Sequence, residues 1–206
     1  MLVDLEGWKN LEKKDFFKKF ESRLISLKKG LIRTNNDFTF LRSNNNYQLN
    51  SSIKFAENKF KKFDKIVVIG TGGSTLGAKA VLQIANKNRV LFIENIDSSE
   101  LKSLIRRVTN LKFALIVISK SGETIEVLSL LDILTNHFKK ILNFKKDILV
   151  ITEKKESTLY DFANKNKISI LELDPLIIGR FSVFSIAGLL PIHLSGINSQ
   201  TIKKNA

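Results

Sequence analysis

Short apolar runs alternate with helical stretches along most of the chain. Five runs are apolar at nearly every position and rich in β-branched residues, which is typical of strands covered on both faces of a sheet. They lie at residues 66–69, 90–93, 114–118, 148–151 and 168–171. The stretches between them have a helical pattern and cover residues 76–85, 100–108, 123–138 and 157–164. The sequence therefore predicts strands and helices in alternation.

This alternation predicts a fold class. Strand, helix, strand units of this length imply right-handed crossovers and a parallel sheet. We therefore expect an α/β fold with a Rossmann-like topology, in which helices flank a doubly wound parallel sheet of five strands. In such sheets a ligand binds outside the carboxyl ends of the strands, where the strand order reverses. The loops that follow the strands are therefore the places to search for a site.

The N-terminal region has a different pattern. Apolar residues three and four positions apart predict an amphipathic helix over residues 11–29, ending at Gly30. Residues 34–52 show no sustained period and are predicted to form a loop. A short helix then carries four apolar residues into the core: Ile53, Ala56, Phe60 and Phe63. We expect a helical arm and loop over residues 1–62, followed by a ligand-binding domain over residues 63–206.

The sequence is basic. Among its 206 residues, 34 Lys and Arg against 20 Asp and Glu give a formal charge of +14. Such a charge would suit a nucleic-acid partner, but the lysines are scattered as short pairs, without a basic stripe interleaved with aromatic residues. A solvated, lysine-rich surface explains the charge better, and its positive field would help to recruit an anionic substrate. We therefore expect no nucleic acid as a partner.

Composition also bears on location and chemistry. No apolar run approaches the roughly 20 residues that span a bilayer, so we expect no membrane partner. The first six residues include Asp4 and Glu6 and lack the basic region and the apolar region of a secretory signal. This favours a cytoplasmic protein. The absence of cysteine excludes disulfides, thiolate metal sites and thiol catalysis.

The first predicted strand ends in a glycine-rich turn that leads into a helix. Gly70, Gly72 and Gly73 would let the backbone approach an anion, and the helix start offers free N–H groups. Ser74 adds a hydroxyl. Because Thr75 stands where a dinucleotide fingerprint needs its third glycine, the turn implies no nucleotide cofactor. A tight turn without any ligand is the alternative.

The third predicted strand is followed by a polar loop consisting of Ser119, Lys120, Ser121, Gly122, Glu123 and Thr124. Three hydroxyls, one ammonium and adjacent backbone donors within six residues suit a phosphate dianion. Alternatively, Ser121 or Thr124 merely caps the next helix. Since a carboxylate would repel phosphate, we expect the Glu123 side chain to point away or to lie along the first helical turn, where the dipole favours it.

One arginine, Arg180, interrupts the apolar stretch over residues 178–191. It must lie at the edge of this stretch or be paired with an anionic group. A salt bridge to Asp174 or another carboxylate is the structural explanation. The functional explanation is that Arg180 faces the ligand crevice and stabilises negative charge that develops on a reacting sugar.

Together these segments resemble the phosphoglucose isomerase family, whose core is a sugar-isomerase (SIS) domain. Residues 69–77 are similar to the family's Ile-Gly-x-Gly-Gly-Ser-x-Leu-Gly turn, and residues 119–126 to its Ser-Lys-Ser/Thr-x-x-Thr-x-Glu segment. Residues 95–97 match its Asn-x-Asp, and residues 179–191 its Gly-Arg-aromatic-Ser stretch. The four segments occur in the family's order, and the resemblance runs from about Phe38 to the end of the chain.

The resemblance implies an enzyme that interconverts glucose 6-phosphate and fructose 6-phosphate by an enediolate proton transfer, with no cofactor and no metal. It implies that Gly73 and Ser74 contact the substrate, and that Arg180 is the catalytic arginine that stabilises the enediolate. The phosphate-binding residues would be Ser119, Lys120, Ser121 and Thr124, with Gly122 and Glu123 in the same loop. Full-length family members commonly dimerise, so a homodimer is expected.

The chain departs from the family pattern in two places and in its length. Ile178 replaces the first glycine of the usual Gly-Gly-Arg. Gly122-Glu123 replaces an aromatic-Thr pair, and we expect this second replacement to affect only the detail of the loop. The family's glutamate base and its assisting histidine and lysine would lie beyond Ala206. His137 and His193 fit neither role, and we interpret both as surface or satisfied histidines. We therefore expect no isomerase activity from this chain alone.

Three alternatives stay open from the sequence. The first is a related SIS-domain isomerase that acts on a mannose or amino sugar phosphate. The second is a non-catalytic regulator that senses phosphosugars. The third is a nucleic-acid binder, which a steep dependence of DNA binding on salt would reveal.

Overall fold

The computed structural model describes residues 22, 46–177 and 179–204. The chain divides into two compact units, Met1–Thr39 and Phe40–Ala206, and the fold described below belongs to the second. Apart from Ser22, the predicted helix over residues 11–29 lies outside the described residues, as does the 34–45 part of the predicted loop.

A parallel sheet of five strands forms the centre of this unit, in the order β2-β1-β3-β4-β5. The strands are β1 (Lys65–Ile69), β2 (Val90–Ile93), β3 (Phe113–Ile118), β4 (Ile148–Thr152) and β5 (Ser169–Glu172). The α-helices are α1 (Asn46–Phe60), α2 (Gly73–Ile84), α3 (Ser98–Val108), α4 (Ile125–His137), α5 (Phe144–Asp147), α6 (Thr158–Lys165), α7 (Ile186–Leu194) and α8 (Ser199–Lys204). A 3₁₀ helix, Gly179–Phe184, precedes α7.

The sheet is covered on both faces because alternate residues of each strand point to opposite sides. In β1, Ile66 and Val68 belong to one buried cluster, whereas Val67 and Ile69 belong to the other. The first cluster is completed by α1, α2 and α7, and the second by α3, α4 and α6. The predicted doubly wound α/β fold with a five-stranded parallel sheet is therefore confirmed.

The start of α1 corrects the sequence analysis. Residues 46–52 were predicted to be part of a loop, but they form the first half of this helix. Leu49 packs against the same cluster that holds Ile53, Ala56 and Phe60. These four positions lie four, three and four residues apart and form one helical stripe, so tertiary packing outweighs the weak helix propensity of the surrounding Asn and Ser residues.

The strand order places the reversal point between β1 and β3. The chain moves from β1 to the edge strand β2 and then returns to pair β3 with the other side of β1. The carboxyl ends of β1 and β3 are therefore neighbours, and the glycine turn and the polar loop leave the sheet side by side. None of the helices in the described ranges has the length and apolar character needed to cross a membrane.

The packing of α1 gives a stability prediction. Phe60 is fully buried and meets Phe63 edge to face, with ring centroids 5.7 Å apart. Replacing Phe60 by Ala should lower the free energy of unfolding by about 3–5 kcal/mol, because it removes a large buried ring and leaves a cavity. Urea denaturation of the 206-residue chain measures the loss.

Phe55 lies on the same helix but is 44% exposed, which makes Phe55→Ala a matched control. This control should cost roughly 1 kcal/mol or less. Equal losses in the two variants would show that α1 does not pack on the sheet as described.

Candidate functional site

A cavity of about 360 Å³ opens at the carboxyl edge of the sheet, between the loops that follow β1, β3 and β4. The first loop contributes Thr71, Gly73 and Ser74 to its wall, and the fourth strand's loop contributes Glu153 and Lys155. From the third strand and its loop come Ile118, Ser119, Lys120, Ser121 and Thr124. The structure thus brings the two predicted loops to one cavity, whose lining includes every predicted phosphate-site residue except Gly122 and Glu123.

The three hydroxyls of the polar loop form a chain. Thr124 Oγ1 lies 2.9 Å from Ser119 Oγ and 3.4 Å from Ser121 Oγ. Loop amides donate to the two ends of this chain, Gly122 N to Ser119 Oγ and Glu123 N to Ser121 Oγ, each at 3.1 Å. Because the serine oxygens already accept from the backbone, their O–H groups are left to donate to one another or to a ligand.

The capping alternative fails for Thr124. This residue occupies the position before α4, where a threonine hydroxyl commonly accepts a hydrogen bond from the first turn. Its side chain makes no such bond and instead contacts the hydroxyls of Ser119 and Ser121. The Thr124 hydroxyl therefore faces the two serine hydroxyls of the loop and not the first turn of α4.

Glycine is required in the middle of this loop. Gly122 has a φ of +71°, and a Cβ atom there would lie 2.1 Å from Ser157 Oγ. Ser157 caps α6, so the loop after β3 rests directly on the start of that helix. A residue with a side chain could not occupy position 122 without displacing Ser157.

Glu123 points away from the cavity, as expected. Its carboxylate accepts from the amide of Thr158 at 2.6 Å and from the hydroxyl of Thr158 at 2.8 Å. These hydrogen bonds hold the pKa of Glu123 below its ordinary value. The carboxylate therefore lies on the first turn of α6, where the dipole favours it, rather than on the first turn of α4.

The start of α2, which carries Ser74, is held by a carboxylate that follows β2. Glu94 accepts a hydrogen bond from the hydroxyl of Thr75 and forms an ion pair with Lys79. Thr75 is fully buried, and the Glu94 side chain is 12% exposed. This contact fixes the first turn of α2 against the neighbouring strand and so fixes the position of Ser74.

Two lysines and one glutamate lie together in the cavity lining: Lys120 from the polar loop, and Glu153 and Lys155 from the loop after β4. Lys120 Nζ donates to the carbonyls of Pro175 and Ile177 at 2.8 and 2.7 Å and lies 3.4 Å from Glu153 Oε1. Lys155 Nζ lies 2.9 Å from the other oxygen, Oε2. Burial alone would raise the pKa of Glu153, but hydrogen bonds and charge from Lys155 and Lys120 outweigh it and hold the pKa below its ordinary value.

The segment that contains Arg180 lies against the glycine turn. Ser182 Oγ donates to the carbonyl of Gly73 at 2.8 Å. A Cβ atom on Gly77 would lie 2.6 Å from Val183 Cγ2, so only glycine allows α2 and the 3₁₀ helix to approach this closely. The backbone of Arg180 is part of this 3₁₀ helix, whereas its side chain lies outside the described residues. The choice between a ligand contact and a salt bridge to Asp174 therefore stays a prediction.

The family follows from comparison with known proteins. The family model described as phosphoglucose isomerase matches residues 45–201, which include the glycine turn, the polar loop and the Arg180 segment. The chain belongs to the phosphoglucose isomerase family.

Curated relatives and a solved structure agree with this assignment. The chain is 32% identical over 146 residues to a glucose-6-phosphate isomerase of Methanocaldococcus jannaschii, a match that covers 70% of this chain and 36% of the relative. A glucose-6-phosphate isomerase of Carboxydothermus hydrogenoformans is 30% identical and covers 99% of this chain. The chain spans 46% of that relative, and thus less than half the length of either protein.

The fold is shared with a crystal structure of a glucose-6-phosphate isomerase from Chlamydia trachomatis. The TM-score is 0.66 at 24% identity, and the match covers 77% of this chain and 31% of the other.

Neither of the two histidines that we interpreted as surface or satisfied residues is among the residues that line this cavity. His193 is inside α7, where Nδ1 lies 3.3 Å from Ser199 Oγ and Nε2 lies 3.6 Å from Glu57 Oε2. His137 packs edge to face on Phe138. No group of three or more His, Cys, Asp or Glu in the described ranges is placed to hold a metal ion.

Glu153 and Lys155 line the cavity but were not among the residues predicted from the sequence. Both follow β4, whose carboxyl end lies beside that of β3. A signal was present, because polar and charged residues begin at residue 152 directly after the apolar run of the fourth strand. The order β1-β3-β4 was needed to show that this loop faces the same cavity.

Gly122 provides a test of how the polar loop of this phosphoglucose isomerase family member is supported. Gly122→Ala should lower the free energy of unfolding by about 3 kcal/mol, since the new Cβ meets Ser157 and the left-handed backbone disfavours alanine. Adding Ser157→Gly should restore part of the loss, because it removes the clashing side chain and leaves the backbone strain. Thermal or urea unfolding of the three variants measures the coupling, and strictly additive losses would contradict the contact.

Proposed function

We propose that this chain is the phosphosugar-binding part of a phosphoglucose isomerase, which interconverts glucose 6-phosphate and fructose 6-phosphate through an enediolate. The observation that carries the proposal is the hydroxyl chain of Ser119, Thr124 and Ser121, which shares one cavity with Ser74 at the reversal point of the sheet. Membership of the family supports the choice of reaction.

The phosphate group of the sugar is proposed to bind between the two loops. A dianion accepts hydrogen bonds, and the loop hydroxyls offer donors because their oxygens already accept from the amides of Gly122 and Glu123. Exchanging the hydrogen bonds among the hydroxyls for bonds to phosphate requires only rotation about C–O bonds. Gly73 and Ser74 would contact the ligand from the other wall, with Lys120 adding positive charge.

Arg180 is proposed to stabilise the enediolate. Moving a proton between C1 and C2 of an open-chain sugar places negative charge on the adjacent oxygens, and a guanidinium stabilises such charge in a site that excludes water. The hydrogen bond from Ser182 to Gly73 supports this role, since it holds the 3₁₀ helix of Arg180 against the glycine turn. In this proposal the whole protein supplies the base that transfers the proton. The whole protein is also proposed to form a homodimer and to be located in the cytoplasm.

Ligand binding tests the proposal. Glucose 6-phosphate should shift the amide resonances of residues 119–124 in the 206-residue chain, while glucose should not. Replacing Ser121 and Thr124 together by Ala should weaken binding by about 2–4 kcal/mol, or roughly 30-fold to 1000-fold, because two hydrogen bonds to a charged group are lost. Calorimetry or NMR titration measures the change.

The control replaces one serine and one threonine hydroxyl away from the cavity. Ser51 and Thr109 are exposed and bond only to nearby backbone carbonyls in the described structure, so Ser51→Ala with Thr109→Ala should bind as the unaltered chain does. Unmoved resonances at millimolar glucose 6-phosphate, or equal losses in both double variants, would contradict the phosphate site.

A further inference from the structure

The two lysines that line the cavity differ in how many of their donors are already used. An ammonium group has three N–H donors. Those of Lys120 have three acceptors within reach: the carbonyls of Pro175 and Ile177 and the carboxylate of Glu153. In the described part of the chain, Lys155 faces a single acceptor, Glu153 Oε2, and its side chain is 49% exposed.

Lys120 is therefore tied to the segment that precedes Arg180. Moving its ammonium to a ligand would break two backbone hydrogen bonds of 2.8 and 2.7 Å and release residues 175–177 from the polar loop. The contact with the Ile177 carbonyl is partly buried, so its loss would cost free energy, whereas the contact with the Pro175 carbonyl is exposed. Lys155 can turn from Glu153 to a ligand by rotation of its own exposed side chain.

The turn that carries Lys155 is fixed relative to the polar loop. The amide of Glu153 donates to the carbonyl of Lys120 at 3.3 Å, and the amide of Lys155 donates to the carbonyl of Glu153 at 2.9 Å. These bonds tie the turn at residues 153–155 to the polar loop, so the base of the Lys155 side chain has a defined place at the cavity wall.

We propose that Lys155 is a phosphate-binding residue of this site, and that Lys120 is a positioning residue that holds the Arg180 segment. The inference rests on the proposed function, since the ligand is the phosphate group of a phosphosugar. Glu153 keeps both ammonium groups in place in the empty cavity. When phosphate enters, Lys155 exchanges one carboxylate oxygen for phosphate oxygens, while Lys120 keeps its contacts with Pro175, Ile177 and Glu153.

The experiment compares Lys155→Ala with Lys154→Ala in the 206-residue chain. Both variants remove one positive charge from the same turn, but Lys154 is exposed and is not among the residues that line the cavity. Binding of glucose 6-phosphate should become at least about tenfold weaker in Lys155→Ala, as expected for a lost hydrogen bond to a charged group. It should change less than about twofold in Lys154→Ala, and Lys155→Arg should retain most of the affinity.

Lys120→Ala gives the complementary readout. It should shift the amide resonances of residues 176–180 in the absence of ligand and lower the melting temperature, whereas Lys155→Ala should do neither. Equal affinity losses in Lys154→Ala and Lys155→Ala would overturn the assignment, as would full affinity in Lys155→Ala. If the unaltered chain binds no glucose 6-phosphate at millimolar concentration, the proposed function itself fails, and this outcome is distinguishable from failure of the lysine assignment, which only the variants reveal.

Discussion

Parallel pairing between β1 and β3 is the constraint on which the site depends. Ile69 at the end of β1 is in register with Val117, one residue before the end of β3. Two strands that run in the same direction and end at the same level must release their loops side by side. The glycine turn and the polar loop therefore meet at one cavity, although Ser74 and Ser119 are 45 positions apart in the sequence.

In the proposed function, neutral donors would supply most of the contacts with the anion. Three hydroxyls are linked to one another and to loop amides, and Glu123, which could oppose an anion, is turned onto α6. Both ammonium groups on the cavity wall are paired with one carboxylate, since Glu153 contacts Lys120 and Lys155. Such an arrangement limits the cost of keeping charge partly buried while the site is empty. In our proposal it also lets Lys155 turn to the ligand while Lys120 keeps its contacts with Pro175 and Ile177.

The positions of the strands could be predicted from the sequence, because buried parallel strands require nearly continuous apolar runs. The runs at residues 66–69 and 114–118 are clear examples. The start of α1 could not, since its apolar stripe begins at Leu49 among Asn and Ser residues and is stabilised by partners distant in sequence. The hydrogen-bond acceptors of Lys120 could not be predicted from the sequence either, because they are backbone carbonyls more than 50 residues away. Local spacing therefore identified the loops, and only the fold showed which of their groups are free to meet a ligand.

A crystal structure of this chain with glucose 6-phosphate would test the central claim most directly. The account predicts a phosphoryl group between the two loops, with its oxygens within hydrogen-bonding distance of Ser74 Oγ on one wall and of Ser121 Oγ or Thr124 Oγ1 on the other. A phosphoryl group bound outside this cavity, for example in the cavity of about 290 Å³ between α1 and residues 172–177, would contradict it.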